Sequence, residues 1–190
     1  MIYQIPLNET VDPKEKYFID ANILLFLYTD DTDRSQNKNK IKIYSDFVKY
    51  LKNNGNPLFI SSLNLQEVLH VIEKKEYDNY CKENQCRVKL KRYRRNHQER
   101  KELKMKLGSL LQQIVQNYSV EGDSVDIKDI EAFVSSFDTH LYDPIDFFAV
   151  DSRCSRSRFN YITDDSDFKN NLNFKTNPNV NLYTYGTPSS

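Results

Sequence analysis

Acidic side chains stand where apolar segments end in four widely separated places. Asp20 directly follows Tyr17-Phe18-Ile19, and Glu67 lies in the first helical turn after Leu58-Phe59-Ile60 and Ser61-Ser62. Asp146 follows Asp143-Pro144, and the pair Asp164-Asp165 comes just after Phe159 to Ile162. Carboxylates brought together without a counter-charge repel one another, so a cluster of them argues for a cation. A hard divalent ion takes oxygen ligands, keeps several waters, lowers the pKa of one of them and neutralises a nearby phosphate. The chemistry open to such a cluster is hydrolysis of a phosphate ester.

To meet, these acids need a scaffold that brings distant positions to one rim. Each apolar run is short and apolar throughout, as suits a strand buried on both faces, and each passes into a helical pattern. Repeated strand-helix units build a parallel sheet covered by helices, and parallel strands end on one edge. Asp20 falls at the strand-to-helix switch, where open α/β sheets place ligands.

Between the acids, the polar stretch 30–39 reads as a loop. Ile41, Ile43, Tyr44, Phe47, Val48 and Leu51 mark a helix that Asn53-Asn54-Gly55-Asn56-Pro57 stops. Leu65, Val68, Leu69 and Ile72 mark the next helix. Residues 76–120 continue in helical pattern, with a basic helical hairpin inserted at about 77–120. Glu121 to Ser124 reads as a turn, Ile127 to Phe137 as a short helix, Asp143-Pro144 as the start of another, and Val180 to Tyr185 as a last edge strand.

A chain of 190 residues suits one well-buried core, so the expectation is a single domain over 1–190. Charged residues make up 28% and mean hydropathy is -0.73, and no apolar run approaches the roughly 20 residues that span a bilayer. The start of the chain carries Glu9, Asp12 and Glu15 where a secretory leader would be basic and then apolar. Three cysteines without CxxC spacing suggest neither a disulfide framework nor a zinc site, and point to a reducing cytoplasm. Net charge is zero, yet residues 87–106 are strongly basic while acids are frequent in 121–167. That division suits a phosphodiester substrate and its metal, and equally suits ordinary solvation.

FIDANIL at Phe18–Leu24, SSLNLQEV at Ser61–Val68, DPIDFFA at Asp143–Ala149 and YITDDSDF at Tyr161–Phe168 resemble the successive motifs of PIN-domain ribonucleases. Within that family the chain is most similar to VapC-type toxins of bacterial toxin-antitoxin pairs. The resemblance spans about 17–76 and 127–168 and leaves out the basic insertion. It implies a three-layer α/β PIN-like domain, a parallel sheet with helices on both faces, acting as a Mg²⁺- or Mn²⁺-dependent endoribonuclease on single-stranded or looped RNA. It also implies an antitoxin protein as partner and a homodimer. Carried over by position, the metal-holding acids are Asp20, Glu67, Asp146 and Asp165. Asp164 competes for the fourth place, because the stretch after Asp146 runs about one residue longer than usual, and Asp143 competes for the third.

Plainer readings exist for most of these residues. Asn64-x-x-Glu67 has capping-box spacing, Asp143 and Asp146 suit a helix N-terminus, and Asp165 suits a turn. Asp20 is hardest to explain away, since an acid after a buried strand needs a partner. Asn22 and Ser62 fit residues that orient substrate or water, or ordinary turn and cap residues. Lys91, Arg92, Arg94 and Arg95, with Tyr93 among them, fit an RNA-backbone contact or a solvated helix face. His70, His97 and His140 lack ligand spacing. Two other functions compete: a catalytically inactive PIN-like module that binds RNA or protein, and a phosphatase attacking through an aspartate after its first strand. The phosphatase needs a second aspartate two residues on, where this chain has Asn22.

Overall fold

The computed structural model describes residues 2–5, 10–29, 38–123, 125–135, 147–151, 158–170 and 179–185. Its centre is a six-stranded, wholly parallel sheet: β1 (Ile2–Gln4), β2 (Tyr17–Ile19), β3 (Leu58–Ser61), β4 (Ser119–Glu121), β5 (Phe159–Ile162) and β6 (Val180–Thr184). They lie side by side in the order β1-β6-β5-β2-β3-β4. The seven helices of the described residues are α1 (Ala21–Tyr28), α2 (Lys38–Asn53), α3 (Ser62–Glu83), α4 (Leu90–Tyr93), α5 (His97–Asn117), α6 (Ile127–Ser135) and α7 (Ser166–Asn170), with a π-helical turn at Phe147–Asp151.

Strand residues alternate between two apolar layers, which is why the short runs are apolar at every position. Tyr17, Ile19, Leu58, Ile60, Ile162 and Tyr183 pack into one core with α1, α2, α3 and α5. Phe18, Phe159, Tyr161, Val180 and Leu182 pack into a second core with Phe147, Val150 and Phe168. Helices therefore cover both faces, giving the three-layer α/β fold expected.

Two local expectations need correction. Val180–Thr184 is not an edge strand: it is buried along its whole length between β5 and β1, and β1 forms the edge. Ser119–Glu121 is not the end of a helix but a strand paired to β3 in the register Ser61↔Glu121. The inserted segment is helical and shares the domain's core. Helix α3 runs on to Glu83, and α5 lays Leu110 and Ile114 into the main core before Tyr118.

The strand order also places a topological switch at the centre. From β2 the chain moves outward through β3 and β4, then returns to pair β5 on the other side of β2. The carboxyl ends of β2 and β5 thus flank the crevice where parallel sheets bind ligands.

Candidate active site

Asp20 closes β2 and opens α1. Its N–H continues the sheet ladder to the Ile162 carbonyl at 3.0 Å, and its Oδ1 accepts from the Ala21 N–H at 2.6 Å as the helix N-cap. The side chain is 3% exposed. Thr163 Oγ1 donates to Oδ2 at 2.5 Å and Tyr161 Oη donates to Oδ1 at 3.0 Å. Asn64 Nδ2 stands 3.5 Å from Oδ1 and gives its closer bond, 2.9 Å, to Tyr161 Oη.

All of these donors are neutral, and among the described residues Asp20 has no ion pair. Burial pushes its carboxyl up from 3.8 to about 6, although Thr163, Tyr161 and the Ala21 N–H each pull down; the charge of Asp165 pushes further up. Asp165 is thus the acid that the fold sets electrostatically against Asp20. Its own N–H donates to Thr163 Oγ1 at 3.0 Å, and its Oδ1 accepts from the Asp167 N–H at 2.7 Å. Thr163, fully buried, is the hinge of the arrangement: it takes a bond from one acid's backbone and gives one to the other acid's side chain.

Asp164 faces elsewhere. Its carboxylate meets Lys40 Nζ at 2.9 Å and Tyr44 Oη at 2.9 Å, and Tyr44 also donates to the Thr163 carbonyl. That side chain fastens the loop after β5 to α2. Asn22 bridges the same loop over longer bonds, Nδ2 to Thr163 Oγ1 and Oδ1 from the Asp164 N–H, both 3.4 Å.

Glu67 is half-buried on α3, three residues after Asn64 and so on the neighbouring part of the helix surface, and α3 packs on α1. Its capping-box explanation does not apply. The N-cap of α3 is Ser61, whose side chain accepts from the Asn64 N–H, so Asn64 is not the cap. Ser62 turns away from Asp20: its hydroxyl donates to Asp123 Oδ2 at 2.9 Å, and the Leu63 N–H donates to the same oxygen at 2.8 Å. Asp123, just past β4, thus caps α3 from outside the helix. Asp143 and Asp146 lie outside the described residues.

Among the described residues no three acidic, histidine or cysteine side chains stand close enough together to hold a metal ion. Asp20 and Asp165, whose charge reaches Asp20, have donor chemistry that suits Mg²⁺ or Mn²⁺, which one or two carboxylates hold with water and substrate phosphate. Sequence reasoning missed Tyr161, Thr163, Asn64 and Asp123 as parts of this rim. Three of them sit inside the motifs already quoted, and the available signal was a polar residue beside the end of a buried strand.

Of the four expected RNA-contacting cations, Arg94 is bound to Glu73 through two nitrogens, while Lys91, Arg92 and Arg95 are exposed. Among the described residues, no helix is long and apolar enough to cross a membrane.

No protein-family model matches the chain, and no curated protein matches it. Among solved structures, a chain in the crystal structure of VapBC2 from Rickettsia felis bound to a DNA fragment from their promoter is similar, with a TM-score of 0.51 and 16% identity. The match covers 90% of this chain and 99% of that one. At that identity the likeness is one of fold, and the fold is distantly PIN- or VapC-like.

Proposed function

We propose that the protein is a divalent-metal-dependent endoribonuclease whose reacting edge is built around Asp20 and Asp165. One observation carries this reading: the buried Asp20 carboxylate at the sheet's switch point feels the charge of Asp165, and among the described residues neither acid has a basic partner. A fold that only needed a helix cap there would have little reason to bury a carboxylate without a counter-charge, which holds the Asp20 carboxyl up at about 6. A divalent cation offsets that repulsion and supplies charge neutralisation at a phosphate together with an acidified water.

The chain's own residues then have separate tasks. Asp20 and Asp165 hold the cation, with Glu67 and Asp146 as the further acids the motif order assigns to it. Thr163 and Tyr161 fix the Asp20 carboxylate by hydroxyl donation; Oδ1 is taken up by Tyr161 and the Ala21 N–H, while Oδ2, with Thr163 as its donor, keeps a lone pair for the cation. Asn22 holds the Thr163–Asp164 loop, and Asp164, tied to Lys40, anchors that loop instead of reaching into the site. The likeness to a VapBC2 chain supports the toxin of a toxin-antitoxin pair as the biological setting, with a protein antitoxin as partner.

The deciding experiment incubates purified protein with unstructured and hairpin RNAs in Mn²⁺, Mg²⁺ or EDTA, beside Asp20→Asn and Asp165→Asn. Cleavage that needs metal and both acids supports the reading. Cleavage that survives EDTA and both substitutions sinks it, and binding of RNA without any cleavage favours an inactive PIN-like module.

A further inference from the structure

We infer that the inserted helices α3 to α5 form a second, non-catalytic site that grips single-stranded RNA through its phosphates and one stacked base. This rests on the endoribonuclease reading for the identity of the nucleic acid, but on separate residues for its geometry. Where α3 ends and α4 meets α5, a cavity of about 700 Å³ is lined by Lys89, Lys91, Arg92, Arg95, Tyr80 and Asn96 among others, with no acid in its wall. That is within the range of small-ligand sites.

Two acids of α3 are used elsewhere. Glu73 pairs with Arg94 and Arg100, and Glu76 pairs with Lys106. Among the described residues Lys89, Lys91, Arg92 and Arg95 have no carboxylate partner. Four like charges around one hollow repel one another, and a polyanion threaded between them relieves the repulsion and releases counterions.

Aromatic and polar groups in the wall favour nucleic acid over an acidic peptide. Tyr93 does not serve for stacking: it is 3% exposed, wedged between Tyr77 and Tyr80 with ring centroids at 5.6 and 5.2 Å. Its task is to pin α4 onto α3. Tyr80, half-buried at the cavity wall, is the ring a base can reach. Asn96 uses its Oδ1 to cap α5 through the Gln98 and Glu99 N–H groups, and among the described residues its amide N–H₂ has no acceptor. Those two donors suit a base edge.

Position adds a length requirement. Tyr80 lies sixteen residues after Asn64 on α3, about 24 Å along the axis from the residue that touches Asp20. An oligonucleotide can reach both places and a dinucleotide cannot.

The test measures binding of an oligouridylate of about 20 nucleotides in EDTA, and separately Mn²⁺-dependent cleavage of that RNA and of a dinucleotide. The K91E/R92E/R95E protein is expected to bind the long RNA at least about tenfold more weakly, with a salt slope shallower by about 2 for three lost phosphate contacts. Its dinucleotide cleavage is expected to stay at the wild-type rate. A K14E/K49E/K74E protein, with the same change of charge at other exposed lysines, is expected to bind like wild type. Tyr80→Ala is expected to weaken binding and Tyr80→Phe to preserve it. Unchanged binding by the K91E/R92E/R95E protein overturns the site, as does failure of the wild type to bind RNA in EDTA. Equal competition by polyglutamate of matched charge also overturns it, in favour of an acidic protein partner. Absence of cleavage by any form, with binding lost only in that variant, strikes the nuclease reading and leaves this site standing.

Discussion

Replacing Asp20 by Asn is expected to stabilise the metal-free protein at neutral pH while abolishing its chemistry. Burial raises the Asp20 carboxyl from 3.8 to about 6, so the folded chain holds that proton more tightly than the unfolded chain does. The stability linked to the group is present in full below about pH 4 and is lost as pH rises through 6. A rise of about two units, at about 1.4 kcal/mol each, amounts to about 3 kcal/mol withheld from the fold at pH 7 and above. Asn retains an acceptor for the Ala21 N–H and the Tyr161 hydroxyl, and the Thr163 hydroxyl can turn to accept from its amide, so part of that sum should be recovered. The expected gain for Asp20→Asn is about 1–3 kcal/mol at pH 8, or roughly 3–10 °C in Tm for a chain of this size, shrinking toward zero near pH 4. Thermal unfolding of both proteins in EDTA from pH 4 to 8 measures it directly. Adding Mg²⁺ should then raise the Tm of the wild type and leave the variant unmoved. A variant less stable than wild type by the same amount at every pH would refute the reasoning, because Asp20 would then be an ordinary helix cap.

Other residues of the rim separate chemistry from support. Asp165→Asn keeps a cap for the Asp167 N–H yet removes the second charge, so RNA cleavage should fall at least about 100-fold with little change in Tm. Asp164→Asn gives up the ion pair to a Lys40 that is itself 38% exposed and keeps an acceptor for Tyr44, so stability should change by less than about 1 kcal/mol and cleavage should stay within twofold. Thr163→Val leaves Asp20 Oδ2 without its donor; a loss of about 1–3 kcal/mol in denaturant unfolding and a 10–100-fold drop in cleavage are expected. Asp123→Ala uncaps α3 and should cost about 1 kcal/mol in the same unfolding assay while leaving the cleavage rate unchanged.

Much of this architecture can be read from the chain because burial on two sides leaves a plain mark. Tyr17-Phe18-Ile19 and Phe159 to Ile162 are apolar throughout because alternate residues enter opposite cores. Ile2–Gln4 and Ser119–Glu121 leave no such mark: each is three residues long and lies on an edge, where its partner strand supplies the order. The acids were visible as charges, but the groups that orient Asp20 are neutral. Asn64 and Thr163 look like common turn or cap residues until the sheet brings their strand ends together. Where Asp164 points turns on the side chain of Tyr44, far away in the sequence, which together with Lys40 holds the Asp164 carboxylate. In the insertion, the charge run was plain, whereas the burial of Tyr93 and the capture of Arg94 by Glu73 depend on how α4 folds back on α3.

The most direct test of the account is a calorimetric titration of Mn²⁺ into the wild-type protein, Asp20→Asn and Asp165→Asn at pH 7.5. Saturable binding by the wild type that each substitution weakens or removes is the expected result. Binding that both variants keep at full affinity would contradict the claim that these two acids hold the ion.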